Sequence, residues 1–173
     1  MEDPDPAVVR AARNGDLAAF EHLVRTYQAP VWRFLRHLLG DAELAEDVTQ
    51  ETFVRVHRRL ASYDGRSRFT TWLFQVARNA GIDALRSRSR RERLELAASP
   101  HVASPELRHE LDAALAALDR DLREAILVVE VLGLSYVDGA ALLGVPAGTL
   151  KSRVHRARER LVRWMQAGEA TGG

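Results

Sequence analysis

Residues 149–161, TLKSRVHRARERL, gather side chains whose chemistry is recognition rather than bond-making. Counting Arg163 just beyond, six lysine or arginine residues and one acid fall within about four helical turns. Guanidinium forks and the Lys151 ammonium suit phosphate oxygens and the acceptor edges of bases, and Ser152 and His155 extend that donor set. Catalytic chemistry has no such support. The chain has no cysteine, which excludes disulfides, thiolate metal sites and thiol nucleophiles. Its histidines, at 22, 37, 57, 101, 109 and 155, show no metal-ligand spacing such as His-Glu-x-x-His, and there is no phosphate-cradling glycine loop. No metal, cofactor or enzymatic activity is expected.

The residues upstream say how such a basic helix would be held. In residues 134–161, LSYVDGAALLGVPAGTLKSRVHRARERL, Ser135 suits the N-cap of a short helix and Gly144 its left-handed end. Pro146 suits the first turn of a second helix. On that second helix Leu150, Val154, Ala157, Leu161 and Met165 form one stripe, and Lys151, Ser152, His155, Arg156 and Glu159 fall on the opposite face. This is a helix-turn-helix pattern. A solvated amphipathic helix would explain the basic residues alone, but not the short capped helix and turn before them.

The rest of the chain reads as helices, with no run showing the alternation of a half-buried strand. A first amphipathic stretch is interrupted near Asn14-Gly15-Asp16, and Pro30 is expected to open a second helix ending at Gly40. A third helix is expected from about Ala42 to Leu60 and a fourth from about Phe69 to Arg88, with an Asp-Gly turn between them. The segment SRSRRERLELAASPHVASPEL then loses the apolar stripe and reads in its middle as a linker. Periodicity returns at about Leu107, and LREAILVVEVLG reads as a core helix. The expectation is an all-α chain of two small helical domains, 1–92 and 108–168, joined by a flexible linker, 93–107. Twenty-five lysines and arginines against 24 acids leave a net charge of +1, so any affinity for nucleic acid rests on local basic zones such as residues 78–93. No apolar run approaches the roughly 20 residues of a membrane helix, and the acidic start MEDPDPAVVR lacks the core of a signal peptide. A soluble cytoplasmic protein is expected.

Three stretches, in this order, carry a resemblance: DAELAEDVTQETFVRVHRRL, RFTTWLFQVARNAGIDALRSRSRR and the helix-turn-helix. Together they resemble sigma-70 family factors of the extracytoplasmic-function group over about residues 8–165. The resemblance implies an alternative sigma factor that is not an enzyme, binds core RNA polymerase, directs it to promoters and assists opening of the DNA. Its implied partners are the clamp of the largest polymerase subunit, the flap of the second-largest, duplex −35 DNA and melted −10 DNA. Relatives are often held by anti-sigma factors, and no residue here identifies one.

By matched position, Asp47, Gln50, Glu51 and Arg55 would meet the clamp, and acids with an amide suit a basic partner helix. Reading a melted strand needs flat side chains, amides and arginines. The resemblance assigns Arg59, Tyr63, Arg66, Arg68, Arg78, Asn79, Asp83 and Arg86 to the −10 element, with Tyr63 and Asn79 holding a flipped base. Asp83 and Arg86, one turn apart, equally suit an intrahelical ion pair. Trp72 continues its helix's apolar stripe and reads as core. Lys151, Ser152, His155 and Arg156 would face the −35 bases, with Thr149 and Arg153 nearer the backbone.

Departures from the family pattern are Val137-Asp138-Gly139 after LSY, where a mid-helix glycine is expected to weaken the upstream helix, and Asp119 in place of a proline, expected to alter capping. A stand-alone helix-turn-helix repressor or response-regulator output domain would account for residues 107–165 but leave EDVTQETF and RFTTWLFQVARN unexplained.

Overall fold

Aspartates at helix starts set the frame of the N-terminal half. The computed structural model describes the backbone of residues 1–96 and 110–171 and the side chains of 1–91 and 111–167, and among these residues there are helices and no strands. Asp5 accepts the Ala7 N–H at 2.7 Å at the start of α1, Pro6–Arg13. Asp16 accepts the Ala19 N–H at 3.1 Å at the start of α2, Leu17–Leu39. Asp41 accepts the Leu44 N–H at 3.0 Å at the start of α3, Ala42–Arg59. Each carboxylate pairs an N–H that the first helical turn leaves without a partner.

One expectation fails here. Pro30 does not open a helix; α2 runs through it without a break. The proline removes one intrahelical hydrogen bond and crowds the preceding turn, at a cost of about 3 kcal/mol. Against that cost, Leu23, Tyr27, Val31, Phe34, Leu35 and Leu38 form one continuous buried stripe on both sides of it. Burying each large side chain contributes roughly 1.5–3 kcal/mol, so keeping the stripe straight outweighs the local defect.

A short 3₁₀ turn, Leu60–Ser62, and a loop over 63–68 lead into α4, Phe69–Leu96. This helix reaches further than expected, into the start of the segment read as a linker; residues 97–107 of that segment lie outside the described residues. The chain then forms α5, Glu110–Ala116, and α6, Arg120–Ile126. The expected single core helix LREAILVVEVLG widens after Ile126 into a π-helical turn, Leu127–Val131, closed by Leu132 N–H donating to Leu127 O at 3.0 Å. The helix-turn-helix follows as α7, Tyr136–Leu143, and α8, Ala147–Thr171.

Helices α2, α3 and α4 pack around Phe34, Leu35, Leu38, Leu73 and Phe74, with the two phenylalanine rings edge-on at 5.7 Å. Helices α6, α7 and α8 pack around Leu127, Leu142, Leu150, Val154 and Ala157. The halves also touch each other, α4 against α7. Asp112 of α5 accepts from Arg36 at 2.9 Å and lies 3.0 Å from His37 Nδ1, while Arg123 of α6 donates to Leu38 O at 3.3 Å.

Gly139 does not rearrange the helix that carries it. Helix α7 is continuous through it, and a Cβ there would lie 2.9 Å from Leu150 Cδ2 and 3.2 Å from Val128 Cγ2. The glycine is what lets α7 sit against α8 and the π turn. Its propensity cost of about 1 kcal/mol is offset by that close approach.

Candidate nucleic-acid interface

The helix-turn-helix is built as its sequence implies. Ser135 Oγ accepts the Asp138 N–H at 3.0 Å and donates to the Asp138 carboxylate at 2.8 Å, which closes the first turn of α7. Gly144 ends α7 at φ 67°, a left-handed conformation that suits glycine. Leu150, Val154 and Ala157 of α8 are fully buried, which turns Lys151, Ser152, His155 and Arg156 outward, all exposed. Ser152 Oγ donates to Thr149 O at 2.9 Å, and His155 Nε2 lies 3.5 Å from Glu159. Among the described residues no carboxylate pairs with Lys151 or Arg156.

Arg153 is held differently. It donates to Asp121 at 2.6 Å, and Arg160 donates to Asp119 at 2.5 Å. A cavity of about 580 Å3 lies between them, lined also by Arg120 and Arg156. Asp119 makes no side-chain cap on α6, so the residue expected to alter capping ties α8 to the start of α6 instead.

In the N-terminal half the sequence-assigned residues divide. Arg59, Asn79 and Arg86 are exposed, and no ion pair is formed between Arg86 and Asp83. Asp83 instead accepts from Arg55 of α3 at 2.8 Å, and Arg55 also donates to Glu51 at 2.8 Å. Those two hydrogen bonds, Glu51 first, raise the Arg55 guanidinium above its ordinary pKa. Arg55 therefore ties α3 to α4, and Asp47, Gln50 and Glu51 stand exposed beside it. Arg78 is turned toward the other half: its Nε and Nη2 donate to Glu124 at 2.9 and 2.6 Å, and Glu124 is only 3% exposed.

The loop over 63–68 is braced rather than free. The half-buried Tyr63 ring packs 5.2 Å from Trp72 and 5.8 Å from Phe69, and its hydroxyl donates to Ser67 O at 2.5 Å. Burial, then the Asp3 and Asp64 charges, push the phenol pKa up. Trp72 is partly buried against this cluster, consistent with its assignment to the core. Asp64 accepts the Arg66 N–H at 3.0 Å, leaving the Arg66 side chain 90% exposed. Arg68 donates to Met1 O at 3.1 Å and faces Asp138 of α7 at 3.6 Å.

Sequence reasoning missed the N-terminal segment. Asp3 accepts from Phe69 N–H at 3.0 Å, Thr70 N–H at 2.9 Å and Thr70 Oγ1 at 2.6 Å, capping α4 from a distant part of the chain. Tyr27 donates its hydroxyl to Glu2 O at 3.1 Å, and burial followed by Asp3 pushes its pKa up to about 12, so it stays a donor at neutral pH. The only local signal was the acidic run itself. It missed Glu124, Asp112 and Arg123 for the same reason, since their partners lie far away in sequence.

Among the described residues no group of three histidine, cysteine or acidic side chains could hold a metal, and no helix is long and apolar enough to cross a membrane. Residues 23–91 match sigma-70 region 2 and residues 108–161 match sigma-70 region 4. The extracytoplasmic-function RNA polymerase sigma factor SigC of Mycobacterium tuberculosis is 37% identical, with 96% of this chain and 94% of that protein covered. The RNA polymerase sigma-H factor of Pseudomonas aeruginosa is 35% identical, with 95% of each covered. Among solved structures, CnrH in complex with the cytosolic domain of CnrY superposes with a TM-score of 0.77 at 29% identity, covering 94% of this chain and 97% of that one. The sigma factor RpoE in complex with the anti-sigma factor NepR from Bartonella quintana gives a TM-score of 0.74 at 30% identity, covering 85% of this chain and 96% of that one. The chain belongs to the sigma-70 family of RNA polymerase sigma factors, in its extracytoplasmic-function group.

Proposed function

We propose that this sigma factor docks on core RNA polymerase through the exposed Asp47, Gln50 and Glu51 face of α3 and reads two promoter elements with separate surfaces. Loop 63–68 and Asn79 take the melted −10 strand, where amides and arginines recognise bases and phosphates. The outward face of α8, with Lys151, Ser152, His155 and Arg156, takes the duplex −35 element in the major groove. The protein acts as an initiation factor without catalysis of its own, in the cytoplasm where polymerase and promoters are found.

The observation that carries this reading is the α8 face. Four polar side chains suited to base edges stand exposed on a helix whose opposite side is buried by a capped helix-turn-helix. The RpoE neighbour is bound to the anti-sigma factor NepR and the CnrH neighbour to the cytosolic domain of CnrY, and an anti-sigma factor is a partner class for this chain as well.

Co-elution of the purified chain with bacterial core polymerase tests the assignment. Wild type is expected to co-elute, and an Asp47→Arg, Glu51→Arg double variant is expected not to, because two acids facing a basic partner become two cations. Equal co-elution of both would remove the docking face from α3. A chain that binds duplex DNA but never polymerase would be a stand-alone operator binder.

A further inference from the structure

Helix α1 carries no assigned role, yet it presents two exposed cations beside the loop over 63–68. Val9 and Ala12 are its buried positions, and Arg10 and Arg13, three residues apart in its last turn, are exposed on a shared face. Arg13 Nη1 donates to Tyr63 O at 3.3 Å, which joins α1 to the loop over 63–68. Between the two lies a cavity of about 480 Å3 lined by Arg10, Arg13, Tyr63, Arg66, Ser67 and Arg68.

The charge around this cavity is one-sided. Among the described residues no carboxylate pairs with Arg10 or Arg13, whereas Arg25, Arg55 and Arg78 each donate to an acid. Asp3 is the carboxylate on the rim; its oxygens accept from Phe69 and Thr70, and it also lies 3.8 Å from Arg68. Arg66 answers Asp64 at 3.2 Å but remains open to solvent. Arg10 and Arg13 without counter-acids, joined by Arg66 and Arg68, which face Asp64 at 3.2 Å and Asp138 at 3.6 Å, surround a concave surface beside a tyrosine, an arrangement suited to tracking a single-stranded backbone.

We propose that Arg10 and Arg13 of α1, opposite Arg66 and Arg68, bind phosphates of melted single-stranded promoter DNA and so extend the −10 surface onto α1. This rests on the reading of loop 63–68 as a −10 surface. The α1 contacts are to phosphates, so they add affinity without adding sequence preference. They remain available in the arrangement described here, in which Arg78 is held by Glu124.

The test is fluorescence anisotropy of the free full-length chain with labelled single-stranded oligonucleotides of mixed sequence, about 12 nucleotides long, across a salt series. Arg10→Ala, Arg13→Ala is expected to weaken binding about tenfold at low salt for every sequence. The slope of log affinity against log salt should fall by about 1.4, the release of two phosphate contacts to a single strand. The doubly lysine-substituted chain, Arg10→Lys, Arg13→Lys, should recover most of the loss, and unchanged thermal melting separates this from misfolding. Asn79→Ala, in contrast, should lose sequence preference and keep the slope.

If the double alanine variant binds with wild-type affinity and slope while Asn79→Ala is impaired, the α1 proposal is wrong and the −10 reading stands. If neither variant differs from wild type, the −10 reading falls and the proposal with it. Displacement of the oligonucleotide by polyglutamate at equal charge concentration would assign the arginines to an acidic polypeptide instead and overturn the choice of nucleic acid.

Discussion

The outward face of α8 and two assigned arginines of the N-terminal half are held differently. On α8 the Lys151 and Arg156 side chains stand clear of acids, and the helix needs only its own apolar underside to aim them. In the N-terminal half Arg55 and Arg78, both assigned to partners outside the chain by resemblance, are held by Glu51, Asp83 and Glu124. A surface that reads duplex DNA can be prebuilt, because the major groove presents its acceptors without rearrangement. On the proposed reading, a surface for melted DNA has no ligand until the duplex opens, and one of its arginines, Arg78, is held internally by Glu124.

The largest effect expected comes from releasing Arg78. Glu124→Gln removes the buried acid by which α6 holds Arg78 of α4, and breaking one side of a buried pair costs about 3–5 kcal/mol when the charge stays buried. Arg78 is 20% exposed at its side chain and lies at a seam between halves, so separation of the halves relieves part of that cost. Small-angle scattering should then show a larger radius of gyration, and single-stranded DNA binding should rise. An unchanged radius with lowered melting temperature would mean that the halves are held by apolar packing and that the contrast between them is not electrostatic.

Gly139→Ala comes next. Alanine improves helix propensity by about 1 kcal/mol, but its methyl would lie 2.9 Å from Leu150 Cδ2, and overpacking of this kind costs about 1–3 kcal/mol. Lower stability of residues 110–171 in urea denaturation, with polymerase co-elution retained, is the expected result. A stabilised variant would show that Leu150 can move aside and that α7 tolerates a wider spacing.

The smallest effect on stability is expected for Lys151→Ala. An exposed residue without a partner should change the unfolding free energy by less than about 0.5 kcal/mol. The same change should lower affinity for −35 duplex DNA by about tenfold, as loss of a good base-edge contact would. Stability and binding would then separate on α8, whereas Glu124→Gln moves both together at the seam between α4 and α6.

The local sequence was enough for the helix-turn-helix. Ser135, Gly144 and Pro146 act within a few residues of themselves, and an apolar stripe at spacings of three and four fixes which face of α8 is turned outward. The same local rules misread Pro30, because a proline's cost is visible in its own turn and the compensating stripe from Leu23 to Leu38 is judged only by what it packs against. They could not show what a side chain at 139 would meet, since that crowding comes from Val128 and Leu150 on neighbouring elements.

What the sequence by itself determined was an all-helical chain, the ends at Gly40, Ser135 and Gly144 and the helix-turn-helix, which follow from periodicity and turn chemistry, and the resemblance to the family, which rests on three motifs in order. What only the tertiary structure decided was which arginines are available. Arg78 meets Glu124 46 residues away, Arg13 meets Tyr63 50 residues away, and Asp3 caps α4 from 66 residues away. Charge is a property of a residue, but its occupancy is a property of neighbours, and here the neighbours are brought by the fold.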